Sequence, residues 1–243
     1  MRYVGSKNKI AKDLIPIIQS YITDDTNGYL EPFVGGANVI DKINCKKKIG
    51  LDIHEELIAL LQKAQTDYIF PELILEDEYY KVKNNKEEYE KWYVGLVGFC
   101  ASFGAKYFGG YARDSKNDNS GKWSKGAINN LNKQRQNLKG IHFQCLDFRN
   151  IPKDKINNYV IYCDIPYKGT TEYKTQKFPY DDFYEWCKEI SKRNILLISE
   201  YGMPNDFECL WEIKHKTLMD SNKKSDDSNN IRIEKLYTYR LAI

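Results

Sequence analysis

No stretch of the 243-residue chain is apolar for long enough to cross a bilayer. Its first residues, Met1-Arg2-Tyr3-Val4-Gly5-Ser6-Lys7, hold no hydrophobic run of the signal-peptide kind. A cytoplasmic protein with no membrane partner is expected. Histidine is scarce, and His54, His142 and His215 stand far apart. The six cysteines (Cys45, Cys100, Cys145, Cys163, Cys187 and Cys209) include no Cys-x-x-Cys pair. A zinc site or a disulfide framework needs clustering, so free thiols and no metal are expected. No internal repeat is present, and the net charge of +3 is too small to announce a polyanionic partner by itself.

The length suits one domain carrying a smaller inserted lobe, and 42% apolar residues are enough for a core that folds without staples. The distribution of charge says more than its sum. Between Ala101 and Arg149 there are nine basic residues against three acids, so that segment carries +6 and the remainder −3. A local basic patch on a near-neutral protein suits a phosphate backbone, a solvated lysine-rich surface being the plainer alternative.

Hydrophobic spacing organises the chain into three parts. Ile10 to Ile22 has a helical repeat, with Pro16 bearing on where the helix begins. Tyr29 to Val34 reads as a strand running into Gly35-Gly36, with a helix from about Ala37; Lys48 to Ile53 reads as a second strand and Glu55 to Gln65 as an amphipathic helix. That alternation opens a doubly wound α/β fold. From about Tyr68 to Gly140 the chain turns rich in Lys, Asn, Tyr and Gly, with helical stretches near 76–92 and 126–138 and a glycine-studded loop from Gly104 to Gly121. Alternation then resumes: strands at His142–Cys145, Tyr159–Cys163 and Ile195–Tyr201, and a helix at Asp181–Arg193. Cys209–Lys216 and Ile233–Arg240 can pair across the polar loop Asp220–Asn230.

One segment concentrates chemistry. In Tyr162-Cys163-Asp164-Ile165-Pro166-Tyr167 an apolar strand stops abruptly at an acid, a proline and an aromatic ring. Ligands of open α/β sheets bind at the carboxyl ends of the strands. A carboxylate and the next carbonyl can hold the two hydrogens of an exocyclic amine, turning its lone pair outward, while the ring stacks on the base. Such fixed acceptors help most where positive charge develops on the amine. Upstream, Leu30-Glu31-Pro32-Phe33-Val34-Gly35-Gly36-Ala37 is a strand followed by a glycine turn. Asp52 ends the next strand, where an acid either binds ribose hydroxyls or caps the helix beginning near Glu55.

These segments together resemble the DNA adenine methylase (Dam-like, D12 class) family. Asp164-Ile165-Pro166-Tyr167 is similar to its (D/N/S)-P-P-(Y/F/W) motif, with Ile165 where proline is commonest. The second position there contributes a backbone carbonyl, which isoleucine also has. Glu31 to Ala37 resembles the E-P-F-x-G-G-G/A cofactor motif, Arg2 to Lys7 the leading aromatic-x-G-G/S-K motif, and Leu146-Asp147-Phe148 the D-F/Y element. The likeness extends through Cys100–Arg113, Ile198–Tyr201 and Asp206–Glu212, and looks like the branch found in phages and mobile elements of Gram-positive bacteria.

The resemblance implies a Rossmann-like S-adenosylmethionine-dependent methyltransferase fold with a mixed, mostly parallel sheet. Residues 1–67 and 141–243 would form the catalytic domain and 68–140 an inserted, mainly helical target-recognition lobe. It implies methylation at N6 of a flipped adenine in double-stranded DNA, with S-adenosyl-L-methionine as cofactor; the sequence does not give the oligomeric state, and a monomer is the expectation. Asp164, Ile165, Pro166 and Tyr167 fall at the reaction centre; Tyr3, Lys7, Glu31, Phe33, Gly35, Gly36, Asp52, Asp147 and Phe148 fall at the cofactor. Lys106, Arg113, Lys116 and Lys122 are the DNA contacts expected of the basic insert, whose Phe108 and Trp123 serve either a base gap or the lobe's own core. Amine methylation of cytosine N4 or RNA, and a DNA-binding homologue without catalysis, are the alternatives.

Overall fold

The computed structural model describes residues 1–113, 115, 120–166, 178–216 and 231–239. Five strands run parallel: β1 (Gly28–Glu31), β2 (Lys48–Asp52), β3 (Ile141–Cys145), β4 (Tyr159–Asp164) and β5 (Ile195–Glu200). The antiparallel pair β6 (Phe207–Lys216) and β7 (Ile231–Tyr239) completes one seven-stranded sheet in the order β3-β2-β1-β4-β5-β7-β6. The alternation predicts a doubly wound α/β fold and the resemblance implies a mixed, mostly parallel Rossmann-like sheet; the strand order agrees with both. The unbroken apolar run Tyr159-Val160-Ile161-Tyr162-Cys163 is what a central strand covered on both faces needs, and all five residues are buried.

Helices cover the two faces. One cluster draws Leu14 and Ile18 from α1 (Ala11–Ser20) and Leu57, Leu60 and Leu61 from α2 (Glu55–Ala64). It continues through Tyr79 and Val82 of α3 (Glu76–Asn84), Leu96, Val97 and Phe99 of α4 (Lys91–Cys100), and Ile128 and Leu131 of α5 (Lys122–Leu138). Residues 68–140 thus share this core with Tyr29 and Tyr162 of the sheet. The second cluster sets Phe183, Trp186 and Ile190 of α6 (Tyr180–Ser191) against Ile161, Cys163 and Ile198. The chain leaves β1 for β2 on one side and returns as β4 on the other. The carboxyl ends of β1 and β4 therefore flank the switch point where such folds bind ligands.

Three local expectations need correction. No α-helix starts at Ala37; only a 3-10 turn forms at Ile40–Lys42. Ala37 has φ +55°, outside the right-handed helical region, and the Gln134 side chain donates to the carbonyls of Gly36 (3.2 Å) and Ala37 (3.0 Å), the latter also accepting the Asp41 amide at a long 3.4 Å. The stretch near 76–92 is two helices: α3 ends at Asn84, and α4 then runs to Cys100. From Val94 to Cys100 every residue of α4 is buried, so it has no polar face for periodicity to reveal. Pro16 lies inside α1 with its ring exposed and does not set the start at Ala11. The C-terminal strands pair as expected, from Phe207 with Tyr239 to Lys216 with Ile231; the loop 220–230 lies outside the described residues.

Candidate active site

Each of the five parallel strands delivers an acid to the same end of the sheet. Glu31, Asp52, Asp164 and Glu200 are the last residues of β1, β2, β4 and β5, and Asp147 follows β3 by two residues. Their partners differ, and the differences assign their work.

Asp164 stands over the switch point. Lys7, buried to 6% exposure, brings its ammonium 3.2 Å from Asp164 Oδ1, while the carboxyl side chain keeps 27% of its surface open. Burial pushes the Asp164 carboxyl up to about 6, with Lys7 pulling it back and Glu234 pushing it further up. Burial alone would lower Lys7, but Asp164 and Glu234 outweigh it and hold its ammonium above the ordinary lysine range. Ile165 is buried and Pro166 exposed; the Pro166 carbonyl accepts a hydrogen bond of 2.8 Å from the Tyr180 hydroxyl. Tyr167 lies outside the described residues.

Beside it, the glycine turn is fixed from two sides. Asp52 Oδ2 accepts from the Gly35 amide (3.1 Å) and Oδ1 from the His54 amide (3.0 Å), tying the turn to the entrance of α2. Asp52 therefore serves the turn as well as the helix start. Burial raises its carboxyl, and those two amides pull it back down. Gly35 has φ +48°, and a Cβ on it would lie 2.8 Å from the Tyr3 ring; a Cβ on Gly36 would lie 2.7 Å from Tyr3 Cβ. Tyr3 thus packs directly on the turn. Glu31 is buried beneath, accepting from the Tyr29 hydroxyl at 2.8 Å, and burial raises its carboxyl well above the usual range.

The outer wall is aromatic. Phe33 lies 5.5 Å from Phe148, 5.7 Å from Phe178 and 5.8 Å from Phe183, ring centre to ring centre. Next to it, Asp147 Oδ1 accepts from the Arg149 amide and Nε, both at 2.9 Å, and Oδ2 from Arg149 Nη2 at 2.7 Å. The Arg149 guanidinium holds the Asp147 carboxyl below its ordinary value. Ile53, directly after Asp52, is 67% exposed.

These groups suit S-adenosylmethionine. Asp52 accepts backbone amides through both oxygens, and a carboxylate has lone pairs enough to accept from hydroxyls such as those of a ribose as well. The half-buried Phe33 ring, backed by the buried Phe148, and the exposed Ile53 offer apolar surface of the kind a purine packs on. Among the described residues no group of three or more His, Cys, Asp or Glu is arranged to hold a metal.

The residues expected on DNA sit on the segment after α4. Lys106, Arg113 and Lys122 are exposed, and the Arg113 guanidinium is paired with Glu76 through Nε (3.0 Å) and Nη2. Lys116 lies outside the described residues. Phe108 is buried at 8% exposure against Tyr79 and Tyr107, so it belongs to the core; Trp123 lies under the Arg2 guanidinium at 4.7 Å. Sequence reasoning passed over Tyr180, Arg149, Gln134 and Glu234. Arg149 had a signal in its place two residues after Asp147, and Glu234 in being an acid within an alternating strand; Tyr180 and Gln134 had none.

The family model for D12 class N6 adenine-specific DNA methyltransferases matches residues 3–208, which takes in Tyr3, Lys7, the glycine turn and Asp164. The chain belongs to that family. Type II methyltransferase M.FokI of Planomicrobium okeanokoites is 21% identical over 272 residues, covering 95% of this chain. The chain spans only 40% of the length of that relative. Among solved structures, an rRNA methylase from Streptococcus thermophilus has a TM-score of 0.39 at 8% identity, covering 93% of each chain. A putative methyltransferase from Streptococcus mutans in complex with SAH has a TM-score of 0.40 at 9% identity, covering 94% of this chain and 97% of its own.

Proposed function

We propose that the protein transfers a methyl group from S-adenosylmethionine to N6 of an adenine flipped out of double-stranded DNA. The observation that carries this is the placing of Asp164, in a D12-class chain, at the switch point beside the Tyr3-covered glycine turn. The cofactor supplies an electrophilic methyl group on a sulfonium. The chain's part is to orient the amine. Asp164 and the Ile165 carbonyl accept its two hydrogens, Tyr167 stacks on the base, and the carboxylate stabilises the positive charge that N6 gains in the transition state. Ile165 serves as well as proline because its side chain is buried and only its carbonyl is asked for.

The same proposal gives Glu31 and Lys7 the methionine end of the cofactor pocket, Asp52 the ribose, and Phe33, Asp147 and Phe148 the adenine. Residues 68–140 serve target recognition, with Lys106, Arg113, Lys116 and Lys122 on DNA. A base must leave the stack to reach such a pocket, and basic residues over the backbone hold the duplex while it does. The protein works in the cytoplasm; among the described residues no helix is long and apolar enough to cross a membrane.

Methyl transfer from labelled S-adenosylmethionine to plasmid DNA, followed by nucleoside analysis, tests the reaction. N6-methyladenine that disappears with Asp164→Ala is the expected outcome. Labelled N4-methylcytosine, or no label despite tight DNA binding, refutes it. Arg113→Ala should weaken DNA binding while cofactor binding persists; unchanged DNA affinity at physiological salt removes Arg113 from the interface.

A further inference from the structure

Beyond the strand-end acids, one buried charge has no role in the chemistry above. Glu234 lies on β7, is 5% exposed, and places Oε1 and Oε2 at 3.3 and 3.2 Å from the Lys7 ammonium. Strand register explains how it reaches the site. Asp164 pairs with Ser199 of β5, Ser199 pairs with Leu236 of β7, and Glu234 is two residues from Leu236. Side chains alternate along a strand, so Asp164, Ser199, Leu236 and Glu234 all stand on one face of the sheet. Lys7 lies between the two carboxylates, 3.2 Å from each.

We propose that Glu234 is a positioning residue for methyl transfer, holding Lys7 on Asp164 while giving the three groups a net negative charge. A Lys7–Asp164 pair alone would be neutral. Beside a nitrogen that becomes positive in the transition state, a neutral pair stabilises less than a carboxylate does, and the ammonium opposes the developing charge. With Glu234 ionised the trio carries one negative charge in a water-poor site, where such charges act strongly. The other groups facing Asp164 do not supply that charge. Glu31 on β1 is pushed by burial toward its neutral form and is bonded by the Tyr29 hydroxyl. Tyr162 on β4 is likewise held neutral by burial and bonded to Ser199 at 2.8 Å. Glu234 also pushes the Asp164 carboxyl up, so the device trades ease of ionisation for a more negative site.

This inference rests on the proposed methyl transfer, and the two fail differently. If the wild-type protein transfers no label from S-adenosylmethionine to DNA, the function is wrong. If it does, Glu234→Gln decides the inference. That variant keeps the shape and removes the charge, so kcat should fall about tenfold or more with KM for DNA and cofactor within about twofold. Its acid limb in kcat/KM should shift to lower pH, because Asp164 ionises more easily once the neighbouring charge is gone. Wild-type kcat, or a fall in kcat with the acid limb unmoved, overturns the proposal. Glu234→Asp covers the case in which E234Q does not fold: it keeps the charge on a shorter stem. Its acid limb should remain at the wild-type pH while kcat drops, since the ammonium is no longer held at its present distance. A wild-type kcat in E234D overturns the positioning role.

Discussion

Replacing Asp52 with asparagine changes one atom at the junction of the glycine turn and α2. In the native arrangement each carboxylate oxygen accepts one backbone amide, from Gly35 at 3.1 Å and from His54 at 3.0 Å. Asparagine offers one oxygen and one NH₂, so in either orientation a donor faces a donor. Losing one such bond in a partly buried place costs about 1–3 kcal/mol, and making the other neutral weakens it by about 1 kcal/mol. Burial already penalises the Asp52 carboxylate, and asparagine escapes that penalty, which offsets part of the loss. The net destabilisation should be about 1–3 kcal/mol, or roughly 3–10 °C in Tm for a chain of this size. Cofactor affinity should fall further, by about tenfold or more, because the proposed ribose acceptor is lost together with the fixed turn. Calorimetric melting with and without S-adenosylmethionine, plus titration of the cofactor, measures both. An Asp52→Asn protein that melts and binds cofactor like the wild type would show that neither the turn nor the ribose depends on this carboxylate.

Acidity should limit the reaction in a defined window. The Asp164 carboxyl is raised to about 6, so it is ionised above that pH and loses its charge as the pH falls through it. At pH 5 only about one Asp164 in ten is ionised, and kcat/KM for DNA, which reports the free protein, should drop about tenfold between pH 7.5 and 5. A limb centred near 4 would mean that burial does not govern this group. Tyr180→Phe removes the hydroxyl that holds the Pro166 carbonyl at 2.8 Å. Single-turnover methyl transfer should slow by about three- to tenfold, the equivalent of one modest hydrogen bond, with DNA affinity unchanged; an unaltered rate frees Tyr180 from any part in the turn. Gly95→Ala tests the packing of α4 on α2. Alanine is favoured over glycine in a helix by about 1 kcal/mol, but its Cβ would lie 2.2 Å from the Glu56 carbonyl oxygen. Backbone cannot yield as a side chain can, so overpacking of about 1–3 kcal/mol or more should win and lower the Tm. A Tm at or above wild type in a thermal melt would contradict the close approach.

How legible the molecule was in its sequence depended on whether the cause of each feature is local. β4 and α2 announce themselves because their burial is written in their own residues, an apolar run in one and a helical repeat in the other. The Asp164 turn was legible for the same reason: the strand, the acid and the proline are contiguous. α4 was not, because a helix buried on every side from Val94 onward has no contrast to detect, and its Gly95 signifies only against the Glu56 carbonyl of another helix, its Gly98 only against the Tyr107 and Phe108 rings. The missing helix at Ala37 failed the same way. Ala37 sits at φ +55°, and Gln134, nearly a hundred residues later, bonds the carbonyls of Gly36 and Ala37. Glu234 depends on a register that runs through three strands before its parity with Asp164 can be seen.

The ring of strand-end acids poses a problem for a substrate covered in phosphates, and the partners of those acids resolve it. Glu31 is held toward neutrality by burial, Asp52 is covered by two backbone amides, and Asp147 is balanced by Arg149. Glu200 accepts from the Tyr201 amide at 2.7 Å and is buried. Asp164 shares Lys7 with Glu234. Less negative charge therefore reaches outward than five bare acids would give, and the basic excess between Ala101 and Arg149 is where the proposal places the backbone. The net negative charge proposed for Lys7, Asp164 and Glu234 is local to the strand end where an amine would become a cation. A field that short in range would favour the proposed methyl transfer at the nitrogen without repelling a duplex, whose charge is screened beyond about 8–10 Å at physiological salt.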